Sequence, residues 1–351
     1  MRLTIGILFC DKDISYLKDL LKNIKDKIQI AYEVILLDNR DNFDDDISFL
    51  DEYKVLNKNE GNIYQLAGRK KIIEEATGKY IWFIDADDDV FPITEQFNDI
   101  IDKNIDINIF SYLNVDGEKQ FWNEEEDMDF SGDILLPECY KLSCLWNKWI
   151  KAEKLKEIAT IIPDDIRVSA SEDNFYNLML LKNCSTLSYH KEYIYTFNSN
   201  RSCSAYNDYT NNVNKFKRCI FGLKEINQLI NENYTKEDFE KLHLNINKSD
   251  CNFFLRKVFS TTGIESQQEM FEIIREHFSD EEIKEMYNEL LDTLSFTKKS
   301  FEQIYNLFQS YYGDNFGCTE IKTIYVFETG EETTIKRIPR VPKIFKEEEV
   351  D

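Results

Sequence analysis

From Leu3 to Asp89 the apolar positions alternate between two periods. Leu3-Thr-Ile-Gly-Ile-Leu-Phe-Cys10 is a short strand-like run that gives way to polar Asp11, Lys12 and Asp13. Leu17, Leu20, Leu21 and Ile24 then fall at i, i+3, i+4 and i+7, which predicts a helix with one apolar face. Tyr32-Glu-Val-Ile-Leu-Leu37 predicts a second strand ending at Asp38, and a shorter third strand near Tyr53 to Leu56 precedes Asn57-Lys-Asn-Glu-Gly61. A helix is predicted from Tyr64 to Ala76, with Gly78 placed as its C-terminal cap. Tyr80-Ile-Trp-Phe-Ile-Asp85 follows directly, a buried strand that runs into Ala86, Asp87, Asp88 and Asp89. This β-α-β-β-α-β order predicts an α/β fold with a doubly wound sheet. Such open sheets bind ligands beyond the carboxyl ends of their strands. Cys10, Asp38, Asp85 and Asp87 all fall on that edge.

The acidic strand end has two readings. In a chain with 66 Asp plus Glu it can be a solvated turn, since charged side chains are ordinarily at the surface. Alternatively, a turn brings Asp85 and Asp87 near one cation. Their hard oxygens select Mg²⁺ or Mn²⁺, ions that commonly hold substrate phosphates.

Composition narrows the partners. A net charge of −23 over 351 residues argues against nucleic acid or an anionic membrane, which both require basic surfaces. The same charge gives an anionic ligand no long-range steering and makes a bound cation more necessary. The first apolar run is too short for a signal sequence. No stretch approaches the roughly 20 apolar residues of a membrane span. The expectation is a cytoplasmic protein. Cys10, Cys139, Cys144, Cys184, Cys203, Cys219, Cys251 and Cys318 lack metal-site spacing and read as reduced, mostly buried thiols. His190, without partners in sequence, reads as a strand histidine rather than a ligand.

Six segments in one order carry a family resemblance over residues 1 to about 205. They are Val34-Ile-Leu-Leu-Asp38-Asn39; Gly68-Arg69-Lys70 with Gly78 beyond; Phe83-Ile-Asp85-Ala-Asp87-Asp88 with Pro92 downstream; Leu145-Trp-Asn-Lys148-Trp149; Ser171-Glu172-Asp173-Asn-Phe175; and Tyr193-Ile-Tyr195 running to Arg201-Ser202. The chain resembles the family 2 glycosyltransferases of the GT-A fold, a Rossmann-like, mostly parallel mixed sheet flanked by helices.

The resemblance implies an inverting, metal-dependent transfer of a sugar from a nucleoside-diphosphate sugar, by family habit a UDP-sugar, to an acceptor hydroxyl. It implies Mn²⁺ or Mg²⁺ on Asp87 and Asp85, and a donor held by Phe9, Asp11, Asp38, Arg69, Asp85 and Ala86. Arg69 would lie either against phosphate or in a bidentate pair with Asp85. Glu172, Trp146 and Lys148 would lie on the acceptor and phosphate side, with Asp173 as general base. A glycan, a lipid-linked glycan or a protein hydroxyl would serve as acceptor. On the residues alone, Glu172 and Asp173 also fit helix-capping acids. Phe9-Cys10, Asn39-Arg40 and Lys70 depart from the family's usual Pro-Thr, Asp-Gly and Asn, leaving the metal ligands intact but putting the nucleotide's identity in question.

From Tyr206 the pattern turns helical, with start signals at Thr235-Lys-Glu-Asp238, Ser266-Gln-Gln-Glu269 and Ser279-Asp-Glu-Glu282. Apolar stripes at Met270, Ile273, Ile274 and Phe278, and at Phe301, Ile304 and Phe308, read as core. Thr323 to Phe327 and Thr333 to Ile335 flank a turn and predict a β-hairpin. A basic then acidic tail follows from Lys336. The expected domains are therefore 1–205, a helical domain 206–318, and a hairpin with tail 319–351, the C-terminal region shaping the acceptor site or joining a homo-oligomer. The rival to an enzyme is a non-catalytic nucleotide-sugar-binding or scaffold protein that keeps the fold.

Overall fold

The computed structural model describes residues 1–114, 119–120, 126–129, 144–168, 172–198, 212–237, 251, 254–256, 258, 264–293, 307, 310–312, 321–328 and 331–339. They fall into two compact units, 1–207 with 221–243, and 208–220 with 244–351.

The first unit is built on one mixed sheet. Its parallel half consists of β1 (Leu3–Phe9), β2 (Tyr32–Asp38), β3 (Lys54–Leu56) and β4 (Tyr80–Asp85), in the order β3-β2-β1-β4. Beyond β4 the sheet continues through β9 (Lys148–Lys151), β6 (Ile107–Asn114), β10 (Thr186–Phe197) and β5 (Asp89–Val90), with β9 antiparallel to both neighbours. Two short strands, β7 (Lys119–Gln120) and β8 (Glu126–Asp129), pair with β6 and β10 respectively. The register sets Phe9 beside Asp38 and Leu8 beside Asp85, so the polar strand ends align on one edge.

Side-chain alternation along β1 explains the two faces. Leu3, Ile5, Ile7 and Phe9 are buried in one cluster with Leu17, Leu20, Leu21 and Ile24 of α1 (Ile14–Lys27). The opposite face carries α2 (Tyr64–Glu75), which is buried on most sides. Its close seat on the sheet depends on glycine. A Cβ on Gly68 would come within 2.6 Å of Leu37 and 2.7 Å of Leu8.

Gly78 differs from its predicted capping role. Helix α2 ends at Glu75, and no left-handed glycine follows it. Gly78 instead allows a backbone crossing, because a Cβ there would lie 2.5 Å from Thr4 N. The segment returning from α2 to β4 passes too close to β1 for any side chain.

The remaining helices of this unit are α3 (Phe97–Asp102), α4 (Ala152–Ala159) and α5 (Glu172–Asn183); α6 (Val213–Asn233) begins among residues of the second unit. In the second unit, α7 (Ile264–His277) starts before Ser266, so that serine lies inside the helix rather than capping it. Helix α8 (Asp280–Thr293) does begin with a reciprocal capping box between Ser279 and Glu282. Met270, Ile273 and Ile274 are buried as expected. The hairpin pairs β11 (Ile321–Glu328) with β12 (Glu331–Pro339), which takes in the first residues of the basic run. Phe301, Ile304, Phe308, Asp238 and the tail beyond Pro339 lie outside the described residues, as do Cys139, Cys203, Cys318, Ser171, Arg201 and Ser202. The described cysteines are free thiols. Among the described residues no helix is long and apolar enough to cross a membrane.

Candidate active site

The acidic run at the end of β4 divides its labour. Asp88 is buried, accepting from the Tyr195 hydroxyl and from Asn198 N at 2.7 Å. Asp89 pairs with Lys27 at 3.1 Å and accepts from Asn23 at 3.0 Å, fastening the turn to α1. The turn itself closes through Asp88 N to Asp85 O at 3.1 Å. Asp85 and Asp87 are half-buried at the same turn.

Tyr195 is central to that scaffold. Its hydroxyl donates to Asp88 and accepts from Asp85 N at 3.2 Å, while its ring stacks on Trp146 at 4.6 Å. Trp146 also stacks on Phe197 at 5.5 Å, and its carbonyl accepts from Trp82 Nε1 at 2.6 Å. Tyr195→Phe removes both bonds at the turn. The expected result is a loss of about 1–3 kcal/mol in stability, read by denaturant unfolding, with a raised donor KM because the Asp85–Asp87 turn loosens. An unchanged donor KM would show that the turn holds its shape without this hydroxyl.

Electrostatics single out the same strand end. Burial raises the Asp85 pKa well above the usual carboxylate range, Asp88 adds to the rise, and Arg69 pulls the other way. Asp173 and Asp87 raise it further. A crowd of carboxylates that resists ionising together is relieved by a cation. Asp13, which the sequence pattern did not single out, belongs to this neighbourhood. Burial raises its pKa, its bond from Cys10 N opposes the rise, and the charge of Asp87 adds to it. Burial likewise pushes the Cys10 thiol up to about 12, so it offers no thiolate.

On the other side of Asp85 stands the start of α5. Arg69 Nη1 donates to Glu172 Oε1 at 2.5 Å and to Asp173 Oδ1 at 2.6 Å, while Nη2 lies 3.8 Å from Asp85 Oδ1. The arginine is therefore committed to the α5 carboxylates rather than to a bidentate pair with Asp85. Burial disfavours its charge, but Asp173, Glu172 and Asp85 more than offset this and raise its pKa. Burial also raises the pKa of Glu172, against the pull of Arg69.

Of the other expected site residues, Asp38, Lys148, Phe9 and Ala86 are buried and Asp11 is half-buried. Asp38 is fully buried and accepts from Arg40 Nε and Nη2, both at 2.9 Å, and from Asn59 N at 3.1 Å. It therefore presents no open carboxylate to a nucleotide base. Asp11 accepts from Asp41 N and Asn42 N at 3.0 Å, tethering the segment after Arg40. Lys148 is buried and spends its ammonium on Cys144 O and on Asn147 Oδ1 at 2.9 Å, so it braces a turn instead of facing phosphate. Phe9 is buried beneath Arg40, whose guanidinium lies 5.9 Å from its ring, and Ala86 is buried within the acidic turn.

Among the described residues no three or more His, Cys, Asp or Glu side chains form a ready-made metal cage. The residues present still fit Mg²⁺ or Mn²⁺, which take one or two carboxylates and complete their shells with water and substrate phosphates.

β4 ends at Asp85, Asp87 lies in the turn beyond it, and Arg69 links this strand end to the carboxylate pair that opens α5. Residues 4–171 match the glycosyl transferase family 2 model, and that segment is a glycosyltransferase domain. The chain is similar in fold to residues 1–349 of S. aureus TarS in complex with UDP-GlcNAc, at TM-score 0.58 and 16% identity over 95% of this chain and 96% of that one. TarS 1–349 in complex with UDP aligns at TM-score 0.49 and 14% identity over the same shares. No curated protein sequence matches the chain.

Proposed function

We propose that this domain moves a sugar from a UDP-sugar to an acceptor hydroxyl in one inverting, metal-dependent displacement, with Asp173 as general base. The observation that supports this most directly is the ion-paired path from Asp85 through Arg69 to Asp173, which joins the strand end that would hold a cation to a candidate base.

Asp87 and Asp85 would hold Mn²⁺ or Mg²⁺. When bound, the ion offsets the negative charge that develops on the leaving diphosphate. Asp173 takes the proton from the acceptor hydroxyl, through the oxygen that Arg69 does not hold. An alcohol becomes an adequate nucleophile only as that proton departs. Attack opposite an α-linked diphosphate gives a β-product. The leaving group is already activated, so the paired acids of glycoside hydrolysis are not required.

UDP-GlcNAc is the first donor to try, being the ligand in the similar TarS structure. The test is UDP release from a panel of UDP-sugars with water as acceptor, in Mn²⁺, Mg²⁺ or EDTA. Release from one donor, abolished by EDTA and restored by the cation, is the expected outcome. NMR at early times should show the freed sugar as its β-anomer. Release that ignores EDTA would overturn metal dependence. A protein that neither turns over nor binds any member of the panel by calorimetry would overturn the UDP-sugar reading.

A further inference from the structure

Arg69 joins three segments that are distant in sequence. It lies on α2, its guanidinium sits 5.5 Å from the Phe83 ring of β4, and both hydrogens of Nη1 go to the first turn of α5. Its side chain is only 6% exposed, and Nε has no hydrogen-bond partner. Gly68 fixes its starting point, because the absence of a side chain there lets α2 rest directly on Leu8 and Leu37.

We infer that Arg69 is a positioning residue for the transfer step, anchoring Asp173 Oδ1 so that Oδ2 faces the acceptor hydroxyl. This rests on the reading of Asp173 as base. A carboxylate on the first turn of a helix has two side-chain torsions to settle, and a misplacement of about 1 Å can cost on the order of 100-fold in rate. The anchor must also keep Glu172 from repelling Asp173. One nitrogen bonded to both carboxylates meets both needs, and the fork leaves Nη2 directed at Asp85. A lysine has the charge but carries it on a flexible stem without the guanidinium plane, so it does not fix the direction that Nη1 gives to both Glu172 and Asp173.

The test uses UDP release from the UDP-sugar that the wild-type protein turns over, with UDP affinity measured by calorimetry. Arg69→Lys keeps the charge that the buried carboxylates need, and Arg69→Gln removes it. Each is expected to lower kcat by about 100-fold, the cost of a misplaced base, while the donor KM and UDP affinity stay at wild-type values. In an Asp173→Asn background either change should lower kcat no further, because nothing remains to be positioned. If Arg69→Gln does not fold, Arg69→Lys alone decides. An equal loss in both backgrounds, or a raised donor KM with kcat retained, would make Arg69 a donor ligand and overturn the inference. Wild-type release by Asp173→Asn would instead refute the base itself, a failure visible before any Arg69 variant is compared.

Discussion

Asp87→Asn is expected to abolish the metal response of UDP release and to lower its rate on the order of 1,000-fold. A bound cation contributes several kcal/mol of transition-state charge stabilisation, and each tenfold in rate corresponds to about 1.4 kcal/mol. Asparagine keeps the size and one carbonyl oxygen but removes the charge that competes for a dication. The informative control is Asp88→Asn, one residue away. Asp88 is buried and bonded to Tyr195 and Asn198, so its loss should appear as reduced stability of about 1–3 kcal/mol. Its residual activity should still rise with Mn²⁺. Metal titrations of UDP release for both variants, alongside denaturant curves, separate ligand from scaffold. An Asp87→Asn protein still stimulated by Mn²⁺ would remove Asp87 from the cation site.

How far the sequence revealed this site follows from the range of the interactions concerned. Strand ends are local features: an apolar run meeting a polar stop placed Asp38 and Asp85 on one edge, and the register of β2 and β4 against β1 has them there. The capping box at Ser279 was readable for the same reason, since its partners are three residues apart. Arg69 and its partners are separated by more than 100 residues, and periodicity carries no information about such a pair. The resemblance placed arginine and acids in one site and gave Arg69 to the donor, while its Nη1 bonds reach Glu172 and Asp173 at the start of α5. Asp38 is instructive in the opposite direction. Its partner Arg40 is two residues away and was visible as a departure from the family, yet charged residues are normally surface residues. Only burial of both shows that the pair closes on itself. Gly78 read as a cap because glycine after a helix usually is one. Its actual constraint is the passing backbone of Thr4, seventy-four residues earlier.

Asp173→Asn is expected to leave UDP affinity and thermal stability near wild type while lowering kcat by about 100- to 10,000-fold, the range for a lost general base. The substitution discriminates well because the competing role predicts so little change. Asp173 lies in the first turn of α5, where an acid complements the helix dipole. Asparagine retains the capping geometry almost as well as aspartate, and the lost dipole interaction amounts to about 0.3–1 kcal/mol. Glu172 still pairs with Arg69 in this variant, so the guanidinium keeps a buried counter-ion. A residue serving only the helix would therefore yield an active enzyme with a slightly lower Tm. A residue serving as base would yield a folded, donor-binding protein that no longer completes the displacement. Calorimetry with UDP, thermal unfolding and UDP release on one preparation give all three quantities. Release at the wild-type rate would return Asp173 to a structural role and leave the displacement without its base.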